Sequence, residues 1–94
     1  MSAEPPAVPL PALTREEILE RLRRILVEQF EVEAAQVRLA ARFREDLDID
    51  SIDVVDLVLE LRKLTGLALE PRQFRGVETV AEAVELVHGL LVAR

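Results

Sequence analysis

Residues 51–65, SIDVVDLVLELRKLT, leave this chain few ways to fold. At about 100° per residue, Asp53, Asp56, Glu60 and Lys63 fall into one narrow stripe of a helix. Ile52, Val54, Val55, Leu57, Val58, Leu59, Leu61 and Leu64 cover nearly all of the remaining circumference. A helix lying on one side of a small bundle needs a narrower apolar face than that. Either the rest of the chain surrounds it, or apolar side chains border the acids in the open as a docking surface. The spacing puts Ile52 and Leu59 along one edge of the stripe, and Leu57 and Leu64 along the other.

Two further helices can do the surrounding. TREEILERLRRILVEQF opens with Thr14 and Glu17 at capping-box spacing, and Ile18, Leu22, Ile25, Leu26 and Phe30 follow a helical period, predicting a helix over about 15–30. Thr79 and Glu82 repeat the box, and Val80, Ala83, Val84, Val87, Leu90 and Leu91 give the last helix its apolar stripe. The middle helix is expected to run from Ser51 to about Thr65 and stop at Gly66. LALEPRQFRG reads as a loop with a short third helix near 71–75, anchored by Phe74. Residues 31–50 show no sustained period. They form a long connection, with one helical turn expected near 33–36 and anchors at Val32, Val37, Leu39, Phe43, Leu47 and Ile49. No strand pattern or internal repeat competes. The expected class is all-α, a four-helix bundle of three main helices and a short one, with a long loop between the first two.

Composition narrows function more than fold. The 94 residues, half of them hydrophobic, suffice for one small core. No cysteine is present, which removes disulfides, thiolate nucleophiles and Cys-based metal sites and suits a reducing cytoplasm. Prolines at 5, 6, 9 and 11 make residues 1–13 a loose, Pro-rich tail rather than a secretory signal, leaving 14–94 as the domain. No apolar run approaches the roughly 20 residues of a membrane span. Seven acids and no base lie between Glu45 and Glu60, so the net charge of −6 belongs to that segment. Such a field repels nucleic acid and attracts basic proteins.

At the centre of that field sits Ser51. With Asp50 at the N-cap and Asp53 at the third helical position, the amides and the positive end of the helix dipole are already served. The Ser51 hydroxyl is expected to face water, unclaimed. It is either a tolerated first-turn residue or a point of chemistry.

FREDLDIDSIDVVDLVLELRKLTG, followed by FRGVETVAEAVELV, resembles the acyl carrier proteins of fatty-acid and polyketide synthesis and their F-x-x-D-L-x-x-D-S-[LI]-[DE] pattern. The resemblance spans about residues 14–92. It implies a non-enzymatic carrier in which Ser51 is esterified to 4′-phosphopantetheine from coenzyme A. It also implies a phosphopantetheinyl transferase, a ketosynthase, an acyltransferase and other acyl-processing enzymes as partners of a cytoplasmic monomer. Asp50, Ile52, Asp53, Val55, Asp56, Leu59 and Glu60 are then the candidate partner-binding residues. The family's common Gly two positions before the Asp-Ser pair is Asp48 here, and Ile52 replaces the usual Leu. Arg62, Lys63, Arg72 and Arg75 make the far end of the second helix and the short-helix region basic. The pattern is closer to stand-alone carriers of specialised clusters, such as those for aryl polyenes.

Other readings of the same residues are a helical adaptor with Ser51 unmodified, or an aminoacyl or peptidyl carrier, which usually has Gly before the position of Asp50. Asp46, Asp48 and Asp50 match the first three ligand positions of an EF-hand loop. Ser51 stands where its Gly belongs and Leu57 where its bidentate Glu belongs, so no metal site is expected. A Ser51 hydrolase needs a base, and His88, the only histidine, lies at the edge of the last helix without an oxyanion-hole motif.

Overall fold

A computed structural model describes residues 13–92. Helix α1 spans Arg15–Phe30, α2 spans Ser51–Thr65 and α3 spans Val80–Val92, with 3-10 turns at Ala34–Gln36 and Pro71–Phe74. The described residues contain no strand, only a single bridge between Arg42 and Thr79. The three long helices and the turn near 34–36 lie where the sequence places them. The short third helix is a 3-10 turn rather than an α-helix.

Each helix starts where a side chain can take its unpaired amides. Thr14 Oγ1 accepts from Glu17 N (3.1 Å) while Glu17 Oε1 accepts from Thr14 N (2.8 Å). Thr79 and Glu82 do the same for α3. The next α3 amides are met by the long connection, because Val80 N donates to Ala41 O and Ala81 N to Leu39 O, both at 2.9 Å. Phe43 N returns a bond to Glu78 O at 2.8 Å. The loop is thus stitched to the start of α3 by its backbone, and Arg23 of α1 holds its first half by donating to Val37 O (2.8 Å).

Helix α1 packs on both α2 and α3, and α2 packs on the Pro71–Phe74 turn. The core is almost wholly aliphatic, with Phe43 and Phe74 its only buried aromatics among the described residues. Val32, Val37, Leu47 and Ile49 are buried as expected of loop anchors, but Leu39 is 51% exposed and Ala41 fills the core in its place. Ala41 faces the core next to the bridged Arg42, while Leu39 lies in the turn before it and engages α3 through its carbonyl. Leu13, expected in the tail, is buried against the core. The rest of the tail expectation lies outside the described residues. Leu90 is only partly buried, at the edge of the α3 stripe.

Among the described residues, two that are not glycine, Glu31 and Asp48, hold a left-handed backbone. Glu31 (φ 58°) closes α1, and Val32 N reaches back to Leu26 O (3.0 Å). Asp48 (φ 57°) turns the chain into α2. Glycine adopts this conformation without the penalty that a Cβ incurs, and Asp tolerates it better than Glu. Glu31→Gly is therefore expected to raise stability by up to about 1 kcal/mol, and Asp48→Gly by less. In thermal melts a gain of that size moves the midpoint up by about 4–8 °C. A fall in midpoint for Glu31→Gly would show that the cap carries no strain.

Candidate functional site

The start of α2 is built by two aspartates. Asp50 Oδ1 accepts from Asp53 N at 2.9 Å, and Asp53 Oδ2 accepts from Asp50 N at 3.3 Å, a capping box made of acids on both sides. The sequence reading gave Asp53 only its place at the helix dipole; the reciprocal bond is an addition. The backbone bond from Asp53, with the charge of Arg44 as a lesser cause, holds the Asp50 carboxyl below its usual range. Asp46 is lowered as well, chiefly by the Arg42 backbone amide, which donates to it at 2.8 Å. The cap leaves Ser51 in the first helical position, exposed and outside the hydrogen bonding that starts the helix.

Beside Ser51 opens a groove of about 590 Å³ that connects α2 to two distant stretches of chain. Phe43, Ile49, Val54, Phe74 and Val77 form its apolar wall, while Arg44, Arg72 and Arg75 also line it. Gly76, at φ 89°, turns the chain along this side. No local pattern in the sequence announces the groove, because its walls come from residues 43–55 and 71–78.

Of the apolar residues expected in the open along α2, Ile52 is 75% exposed and Leu59 40%, and Val55 joins them at 41%. Leu57 is buried and Leu64 half-buried, which corrects the second edge of the stripe. Those two face the interior that α1 closes, so the acids have open apolar surface on one side only. Asp56 is exposed, whereas Asp53 and Glu60 are half-buried, Glu60 with Lys63 Nζ at 3.3 Å. Among the described residues no cluster of His, Asp or Glu is placed to hold a metal ion. Asp46 accepts from Arg42 N and Asp50 from Asp53 N. His88 is half-buried on α3, where its charge is a minor influence on Glu85; the main one is the Arg15 ion pair that ties α1 to α3 (2.6 Å).

A helical domain with an unclaimed serine at the head of an acid-flanked helix is the form of a prosthetic-group carrier. The family model described as the phosphopantetheine attachment site matches residues 20–87. The chain is 43% identical over 81 residues to Acyl carrier protein 2 of Ralstonia nicotianae, covering 86% of this chain and all of that one. It is 40% identical over 79 residues to the acyl carrier protein of Saccharopolyspora erythraea, covering 84% and 83%. The solved acyl carrier protein of Enterococcus faecalis superposes with a TM-score of 0.67 at 35% identity, over 83% of this chain and 99% of that one. The chain belongs to the acyl carrier protein family, non-enzymatic carriers with covalently attached 4′-phosphopantetheine.

The depressed carboxyls give a stability test with a definite sign. A carboxyl whose folded pKa lies below its unfolded value stabilises the fold at pH above the unfolded value, about 3.9 for Asp. That contribution disappears as pH falls through the lower, folded value. Asn is an equally good N-cap but does not titrate. Asp50→Asn should therefore melt near wild type at neutral pH and lose less stability on acidification below about pH 4. Asp50→Ala should melt lower at every pH. Thermal melts across an acid series compare all three, and identical acid slopes for wild type and Asp50→Asn would remove the cap from the account.

Proposed function

We propose that Ser51 is the attachment residue, and that the chain presents acyl groups from it to fatty-acid or polyketide-type enzymes. The observation that carries this reading is the exposed Ser51 hydroxyl, released from capping by the Asp50–Asp53 box. Attachment is a phosphoryl transfer in which Ser51 Oγ bonds to the pantetheine-side phosphorus of coenzyme A. The pyrophosphate P–O bond breaks, the nucleotide part leaves, and the hydroxyl proton passes to a base of the transferase. The protein fits the group on its own features. The first turn of α2 offers its dipole to the phosphodiester's negative charge, and Ser51 is exposed to receive it. Once bound, the arm supplies the thiol that this cysteine-free chain lacks, and holds acyl groups on it as thioesters.

In this reading the acids and the open apolar side chains divide the work of docking. Asp50, Asp53, Asp56 and Glu60 attract basic partners, and Ile52, Val55 and Leu59 supply the contact that excludes water. The phosphopantetheinyl transferase, a ketosynthase and an acyltransferase are the proposed partners of a cytoplasmic monomer in a specialised cluster. No helix among the described residues is long and apolar enough to cross a membrane.

Incubation with coenzyme A, Mg²⁺ and a broad-specificity transferase is expected to add one arm, read by intact mass, and Ser51→Ala to add none. An arm on Ser51→Ala would reject the assignment. Exposed ion pairs contribute only about 0.2–1 kcal/mol each, so no single acid decides binding. Asp56→Lys with Glu60→Lys should slow loading at low salt with helicity unchanged, and the defect should shrink as salt rises. Ile52→Ala or Leu59→Ala should weaken the complex with little dependence on salt.

A further inference from the structure

The open face of α2 carries opposite charges on its two sides. Ile52, Val55 and Leu59 form its apolar middle. Asp56 and Glu60 border it on one side together with Lys63, which holds Glu60 at 3.3 Å and leaves that side net acidic. On the other side the helical spacing places Ser51 and Arg62, and Ser51, Val54 and Val55 share the groove with Arg75. Arg62 and Arg75 are both exposed, and among the described residues no ion pair engages either one. Arg72 differs, because Glu70 holds it at 2.7 Å. Glu45 and Glu78 also line the groove, so this flank is no general anion site; its unpaired cations are what a partner meets.

A partner that is basic throughout would satisfy Asp56 and Glu60 while pressing like charge against Arg62 and Arg75. At physiological salt, screening acts over about 8 Å, too far to hide charges on two sides of one helix face in contact. We propose that the phosphopantetheinyl transferase that loads this chain docks on α2 with a two-signed surface: a basic patch over Asp56 and Glu60, an apolar projection on Val55 and Leu59, and an acidic patch over Arg62 and Arg75. Charge complementarity selects this occupant, and the inference rests on Ser51 being the loading residue. The two signs also forbid docking turned end about, which would set each patch against its like. They orient the partner so that Ser51, at the N-terminal end of the apolar middle, meets one fixed point of its surface.

The test is the loading rate with the transferase from the same organism, across a salt series, for wild type, Arg62→Glu with Arg75→Glu, and Asp56→Lys with Glu60→Lys. Reversing the arginines should lower kcat/KM at low salt roughly three- to thirtyfold, mostly through KM, and the defect should shrink as salt rises. The milder Arg62→Gln with Arg75→Gln should fall between, and circular dichroism should show helicity unchanged in every variant. An unchanged or faster rate for the arginine reversal overturns the proposal, because a uniformly basic partner gains from that change. If the acid reversal still slows loading in that case, the acidic docking reading survives and only the second patch falls. A concentration-dependent dimer abolished by the arginine reversal would also overturn it, by making a second copy of the chain the occupant of the face.

Discussion

The placement of α2 depends on a few backbone hydrogen bonds between the long loop and the start of α3. Leu39 and Ala41 carbonyls take the first amides of α3, and Phe43 N closes the ring onto Glu78 O. Every amide and carbonyl so engaged is one the loop would otherwise leave to water or bury unpaired, at a cost of about 1–3 kcal/mol each when buried. Because the loop is pinned there, its apolar anchors can reach the core in register. Phe43, Leu47 and Ile49 enter the core one after another, and Ile49 N folds back to Phe43 O at 2.8 Å. The chain therefore arrives at Asp50 in one orientation, and the aspartate box can start the helix at that point and no other.

The same pinning makes the groove. Residues 43–45 belong to the loop and 76–78 lead into α3, so the bridge that joins them also fixes two walls of the space beside Ser51. Helix α2 supplies the third wall through Val54 and Val55. The fold and the groove use one set of contacts. A substitution that loosens the bridge would disturb the groove before it exposed the core.

The helices were legible in the sequence because their signals are local. Thr14–Glu17, Thr79–Glu82, Asp50 and Gly66 each act within one turn, and the observed bounds of α1, α2 and α3 follow them. The carrier family was legible too, since the pattern around Ser51 is contiguous. Face assignments along α2 were only half legible. With apolar residues on nearly all sides, the period alone does not say which of them face α1, and Leu57 went to the core while Val55 stayed outside. Leu39 falls in a turn, and Ala41 enters the core beside an antiparallel bridge, and helical periodicity reads neither feature. The Glu70–Gln73 cap of the 3-10 turn had a readable spacing but lies in a segment too short to show a period. The groove had no sequence signal at all, being a product of tertiary contact.

Because Ser51 is the first residue of a regular helix and not the cap before it, its Cα is held by the hydrogen-bond ladder of α2, with Val58 and Leu61 buried about two and three turns on. Anything tethered there swings from a stiff pivot. Its reach is set by the tether alone, and the uncertainty in where its far end lies comes from the tether's torsions and not from the protein. A partner that fixes the face of α2 thereby fixes the centre of the volume the tether sweeps, and needs only an opening within that volume to receive the free end.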